Sequence, residues 1–290
     1  VIGFGERLHS AVARHGRLCV GIDPHASLLA QWGLEASAAG TREFGLRVVA
    51  AAAGRVGIVK PQVAFFERWG SAGFAALEDV QAAARDAGLL VIADAKRGDI
   101  GSTMDGYAAA WLEPGAPLEA DAVTVSPYLG PGSLRGTIAA AARAGKGVFV
   151  LAATSNPEAL GVQSAEVSVV DAQRGQTVAD WVASGIGWAN RAAVDAGGWG
   201  PVGLVVGATV DRDELGLTDE ALRGAPILAP GFGAQGVGLR DVGSVFGAHA
   251  PQVIANASRS VLAAGPDGIA AAIDAHRAEL ADAFEEEPRG

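Results

Sequence analysis

Eight short apolar runs, alternating with Ala-rich stretches, set the limits on what this 290-residue chain can fold into. The runs are 18–23 (LCVGID), 56–60 (VGIVK), 89–95 (LLVIADA), 121–126 (DAVTVS), 147–153 (GVFVLAA), 202–207 (VGLVVG), 226–230 (PILAP) and 252–257 (QVIANA). They are continuous in Val, Ile and Leu rather than alternating with polar residues, which is how strands covered on both faces read. Between them, helices are expected at 42–54, 71–87, 102–112, 133–144, 176–196, 218–223 and 239–248. Gly88, Gly145 and Gly197 fall just past three of these, where a left-handed cap favours glycine.

Strand then helix, repeated, implies an α/β fold with a parallel sheet and right-handed crossovers. Eight such units close into a (β/α)8 TIM barrel; a doubly wound open sheet is the rival architecture. Such barrels routinely reach about 200–250 residues as one domain, and half of this chain is hydrophobic, enough for one large core. The expected organisation is a single barrel over 1–284 and an acidic tail over 285–290. Two long connections, 154–175 and 208–225, follow the fifth and sixth strands.

The net charge of −10 argues against a nucleic-acid footprint or an anionic membrane surface, although a local positive site remains compatible with an anionic ligand. The single cysteine, Cys19, cannot form an internal disulfide and reads as a buried structural thiol. There is no basic-then-apolar leader and no run of about 18 apolar residues. The expectation is a soluble cytoplasmic protein.

The third run ends unusually, as DAKRGDIG over 94–101. Alternation along a strand puts Leu90, Ile92, Asp94 and Lys96 on one face, so charges share the face that the aliphatic residues assign to the interior. Burying them costs several kcal/mol per ion, of order, unless they are paired. Strand 1 ends in Asp23 and strand 2 in Lys60, so three successive strands deliver Asp, Lys, Asp and Lys to one rim, with Asp99 just beyond. In a barrel the active site lies at the C-terminal rim. The alternative is an ion-pair network plugging the barrel top, but apolar residues make a plug at no loss of stability.

The seventh and eighth strands run into PGFGAQG (230–236) and NASR (256–259). The glycines formally fit GxGxxG, but a dinucleotide site wants that pattern after the first strand. Loops after strands 7 and 8 are where barrels commonly hold phosphate on backbone N–H groups, and Arg259 offers a bidentate partner.

With GIDP at 21–24, VKP at 59–61, DAKRGDIGST at 94–103, TSNP at 154–157, PGFGAQG at 230–236 and ASRS at 257–260, the chain resembles the orotidine 5'-phosphate decarboxylase family, in particular its longer bacterial subgroup. The resemblance spans roughly 18–260 in the right strand order. It implies conversion of orotidine 5'-monophosphate to uridine 5'-monophosphate and CO2 in de novo pyrimidine biosynthesis, without a cofactor. It assigns Lys60, Asp94, Lys96 and Asp99 to an alternating charged network, with Lys96 as proton donor to the pyrimidine carbon. Asp23 and Lys60 match contacts to the ribose hydroxyls, Ser155 a contact to the pyrimidine, and Gln235 and Arg259 phosphate ligands. It also implies a homodimer, in which Asp99, Ile100 and Thr103 reach the neighbouring subunit's site. The two long connections depart from the pattern, and Ser126 receives no role.

The residues themselves fit such chemistry. No His pair at metal-ligand spacing, no CxxC and no dinucleotide fingerprint is visible, so charge developing on a carbanion must be met by fixed electrostatics. Three other readings stay open at this point: a phosphosugar lyase or synthase with Mg2+ on the strand-3 acids, a Schiff-base aldolase using Lys60 or Lys96, and a non-catalytic binder of a phosphorylated ligand.

Overall fold

The structure, a computed structural model, describes residues 2–168, 174–233 and 236–285. In chain order its elements are α1 (Phe4–His15), β1 (Leu18–Ile22), α2 (Ala26–Gln31), α3 (Ala38–Ala52), β2 (Ile58–Pro61), α4 (Val63–Glu67), α5 (Gly70–Asp86), β3 (Leu90–Arg97) and α6 (Gly101–Leu112). There follow β4 (Ala122–Val125), α7 (Arg135–Arg143), β5 (Gly147–Ala153), α8 (Leu160–Gln163), α9 (Val178–Ile186), α10 (Arg191–Asp195) and β6 (Val202–Val206). The chain ends with α11 (Asp219–Leu222), β7 (Ile227–Pro230), α12 (Val242–Phe246), β8 (Val253–Ala257), α13 (Arg259–Leu262) and α14 (Gly265–Glu285). Every expected strand is present, with its ends moved by no more than two residues.

The strands pair in parallel and in sequence order, and β1 closes the circle by bonding both β2 and β8, with Cys19 opposite Ile58 on one side and Asn256 on the other. This is the (β/α)8 barrel. Alternation sorts each strand into two faces. Cys19, Ile58, Leu90, Ile92, Ala122, Phe149, Val205, Leu228 and Ile254 form the interior cluster. Val59, Val91, Val123 and Val148 face outward and pack under the helical ring, against residues such as Phe44 and Val48 of α3 and Leu77 and Val80 of α5. Both faces are therefore apolar, which is why the runs read as continuous. Burial pushes the Cys19 thiol up to about 12, so it is held as an inert SH in the interior.

Helix α1 was not among the expected helices, yet it shapes the barrel. Its Phe4, Leu8 and Val12 recur every four residues on one face and join the interior cluster from the N-terminal end. Phe4 meets the Phe149 ring edge-on at 6.1 Å. Arg7 fixes the helix with bonds to Asp121 Oδ1 at 2.6 Å and to the Gly145 carbonyl at 2.9 Å. One mouth of the barrel is thus stoppered by side chains.

The expected helix at 176–196 is broken. It divides into α9, a 3-10 turn at Gly187–Ala189, and α10. At the break the Asn190 amide donates to the Val202 carbonyl at 2.7 Å and accepts from the Val202 N–H at 3.1 Å, pinning the chain to the start of β6. The expected helix at 239–248 is likewise divided, with α12 set between two 3-10 turns.

Candidate active site

At the open C-terminal mouth the strand ends surround a cavity of about 310 Å3, in the size range that small ligands occupy. A wider hollow of about 710 Å3 lies at the opposite end, lined mainly by α1 and α14 with Trp199, away from every strand C-terminus. The strand-end cavity carries the chemistry. Its aliphatic part is Leu151, Val205 and Leu228; facing it are Lys60, Asp94, Lys96 and Thr124.

Asp94 is the hub. Lys60 Nζ donates to its Oδ2 at 2.9 Å and Lys96 Nζ to its Oδ1 at 2.6 Å. Thr124 Oγ1 adds a third bond to Oδ1, also at 2.9 Å. Burial alone would raise the Asp94 carboxyl, but the two ammonium groups reverse this and hold it well below the usual carboxylate range. Burial alone would likewise lower Lys60, yet Asp94 and Asp23 outweigh it and keep the ammonium above the ordinary lysine range. The two lysines differ in access: the Lys60 side chain is 5% exposed and that of Lys96 46%. Lys60 is therefore the more buried counter-charge on the cavity wall, whereas Lys96 is the more open to whatever enters.

Lys96 is also conformationally set apart. Its φ is 48°, the only positive φ at a non-glycine among the described residues, and the β3–β4 register shifts between Ala93 and Arg97. A non-glycine residue held there stores of order 1–3 kcal/mol. Just beyond, Gly98 is required by close approach, since a Cβ on it would lie 2.5 Å from the Ser126 carbonyl oxygen.

Most residues singled out from the sequence converge here. Asp23, Lys60, Asp94, Lys96, Ser155 and Arg259 all line the cavity. Asp23 Oδ1 is buried and has no hydrogen-bond partner among the described residues. Gly21, two residues earlier on β1, leaves room for Ser258: a Cβ there would stand 1.9 Å from Ser258 Oγ. Asp99, Ile100 and Thr103 do not line this cavity. They lie at the start of α6, where Ile100 is 61% exposed and Asp99 Oδ1 accepts from the Ile100 N–H at 2.8 Å. Among the described residues, Asp94 is the one carboxylate in salt-bridge contact with Lys96, so a second flanking anion is not supplied by this chain's own described residues. Gln235 lies outside the described residues.

Several lining residues received no role from the sequence, among them Gln62, Thr124 and Asn256. Gln62 accepts from Lys60 Nζ at 3.4 Å, Thr124 binds Asp94, and Asn256 lies buried at the end of β8. The signal for each was face alternation: Gln62 follows Lys60, Thr124 follows Ala122, and Asn256 follows Ile254, each by two residues.

The sequence profile described as Orotidine 5'-phosphate decarboxylase / HUMPS family matches residues 16–274. The orotidine 5'-phosphate decarboxylase of Salinispora arenicola is 53% identical over 264 residues, 91% of each chain. That of Corynebacterium efficiens is 52% identical over 264 residues, again 91% of each. A Streptomyces avermitilis crystal structure, assigned to orotidine 5'-phosphate decarboxylase, aligns with TM-score 0.89 and 46% identity over 98% of this chain and 97% of that one. Leishmania donovani OMP decarboxylase aligns with TM-score 0.74 and 31% identity, over 97% and 99%. With sequence and backbone both matched along nearly the whole barrel, this chain belongs to the orotidine 5'-phosphate decarboxylase / HUMPS family.

Proposed function

We propose that the protein decarboxylates orotidine 5'-monophosphate to uridine 5'-monophosphate in the cytoplasm, as a step of pyrimidine biosynthesis, with no cofactor. The observation that carries this is the Lys60–Asp94–Lys96 chain of paired charges beside the aliphatic wall of one cavity. In this reading Arg259 and Gln235 bind the phosphate, Asp23 and Lys60 the ribose hydroxyls, and Ser155 the pyrimidine. The substrate carboxylate then lies near Asp94, with C6 of the ring beside Lys96 Nζ.

The C6–carboxylate bond breaks heterolytically, CO2 leaves, and the electron pair stays on C6. The Lys96 ammonium stabilises that pair as it forms and transfers one proton to it, leaving a neutral amine that regains its proton from solvent. Two unit charges about 4 Å apart interact by about 4 kcal/mol at an effective dielectric of about 20, so repulsion between Asp94 and the substrate carboxylate is of that order. Stabilisation of the transition state by Lys96 is the main term, because the ammonium is already fixed in place before charge develops. Phosphate binding supplies remote energy that is used at the ring, so a substrate without phosphate loses turnover as well as affinity. A dication on the Asp94 oxygens would meet two ammonium groups within hydrogen-bond distance, and carboxylate-paired lysines are protonated and poor Schiff-base nucleophiles.

The exposed Ile100, with Asp99 and Thr103 beside it outside this chain's cavity, supports a shared site, in which Asp99 of the partner subunit completes the anionic flank of Lys96. The test is loss of orotidine 5'-monophosphate absorbance with purified, chelator-treated protein. Turnover indifferent to chelator and abolished by Lys96→Ala or Asp94→Ala is expected. Metal-dependent turnover would favour a lyase of another type, borohydride trapping an aldolase, and binding without turnover a binder. Mixing Lys96→Ala with Asp99→Ala should restore partial activity through hybrid dimers; no restoration would count against the shared site.

A further inference from the structure

The register shift in β3 has a specific partner. Between the pairs Ala93↔Val123 and Arg97↔Val125, residues 94, 95 and 96 of β3 stand opposite the single residue Thr124 of β4. The Lys96 N–H donates to Thr124 Oγ1 at 2.9 Å, a side-chain oxygen standing where a regular ladder would offer a carbonyl. The same hydroxyl donates to Asp94 Oδ1 at 2.9 Å, the oxygen that also receives Lys96 Nζ at 2.6 Å. An ionised carboxylate only accepts, so the direction of this relay is fixed: amide N–H to hydroxyl, hydroxyl to carboxylate, with ammonium to carboxylate closing the ring. Thr124 is 1% exposed, so no solvent competes for its hydroxyl.

We propose that Thr124 is a positioning residue for the decarboxylation: its hydroxyl ties the Lys96 backbone to the Asp94 carboxylate, and so fixes the direction in which the Lys96 ammonium points. The proposal rests on the reading of the cavity given above. Without the hydroxyl, the left-handed backbone at Lys96 loses its one cross-strand side-chain anchor, and Asp94 Oδ1 is held by Lys96 alone. A threonine at this point is more than a filler of the strand, because valine has nearly the same shape and lacks both bonds.

The test is a series at one position: Thr124→Val, Thr124→Ser and Thr124→Cys, with the wild type assayed in parallel. Thr124→Val should lower kcat about 100-fold, the loss expected when a reacting group is misplaced by about 1 Å. Affinity for the product uridine 5'-monophosphate should stay within about twofold, since phosphate and ribose contacts are untouched. Thr124→Ser should keep kcat within about threefold of the wild type, and Thr124→Cys, with a weak donor of similar size, should fall between, standing in for the valine variant if that fails to fold. A crystal structure of the valine or cysteine variant should show Lys96 displaced from its left-handed conformation. The proposal is overturned if serine and valine lose kcat equally, if kcat falls only in step with product affinity and melting temperature, or if the crystal shows Lys96 unmoved. Absence of turnover in the wild type would sink the functional reading instead, while the crystal structure would still decide the role of Thr124.

Discussion

Replacing Asp94 by alanine isolates the energetics of the charged cluster. Lys60, with a side chain only 5% exposed, would lose its strong acceptor and keep Gln62 Oε1 at 3.4 Å and the more remote Asp23. Removing one partner of a buried pair in this way destabilises by about 3–5 kcal/mol. The pH dependence follows with its sign. In the wild type the Lys60 pKa is raised in the folded state, so its contribution is complete below its unfolded value, about 10.4, and is lost only as pH climbs through the folded one. The Asp94 pKa is lowered, so its contribution is complete above about 3.9 and lost as pH falls through the folded value. Between pH 7 and 9.5 neither group adds a slope. In the variant, desolvation acts on Lys60 with little to oppose it, so its folded pKa drops below the unfolded one. The unfolded chain then binds more protons, and stability rises with pH over that interval. Urea titrations followed by tryptophan fluorescence at pH 7 and 9.5 would read the effect, the chain having six tryptophans. Lys60→Met/Asp94→Ala should recover most of the loss, because an apolar replacement removes the stranded charge. A double variant less stable than Asp94→Ala, together with a deficit that does not shrink with pH, would refute the reasoning.

Lys96→Gly and Lys96→Ala should both abolish turnover, yet the glycine variant should be the more stable by up to about 1 kcal/mol in thermal melts, reversing the usual order because φ at this position is 48°. An alanine variant that melts higher would count against backbone strain there. Arg259→Ala should lower kcat/KM for the phosphorylated substrate about 10- to 150-fold, the equivalent of one charge-assisted hydrogen bond of about 1.5–3 kcal/mol, and leave the unphosphorylated nucleoside unaffected. Equal losses on both would remove Arg259 from the phosphate site. Phe4→Ala should destabilise by about 3–5 kcal/mol in urea while kcat stays within about twofold, since Phe4 plugs the far end of the barrel and does not line the cavity.

The strands were legible because each is buried on both faces and therefore continuous in Val, Ile and Leu, and the charges stood out because they interrupt that pattern at strand ends. Less local features did not show. Nothing in DAVTVS marks Thr124 as the partner of a register shift, since the shift depends on how β3 and β4 align across the barrel. The break between α9 and α10 depends on Asn190 reaching the start of β6, a contact that the sequence pattern of one helix does not carry. Helix α1 did leave a trace, Phe4, Leu8 and Val12 at four-residue spacing, but its apolar stripe is narrow and its other positions are polar, charged or small. Asp99, Ile100 and Thr103 differ again: this chain leaves them around the start of α6, outside the lining of the Lys96 cavity, so folding alone does not bring them to the site.

Among the described residues, the stopper that Phe4, Leu8 and Val12 insert into the N-terminal mouth leaves the barrel open at the rim of strand ends. Anything that reaches Lys96 arrives across the rim of strand ends and departs the same way. On the proposed reaction, both products leave by the route that the next substrate needs, and a lingering nucleotide blocks the next arrival. Product inhibition competitive with substrate is therefore the expected kinetic signature of that proposal.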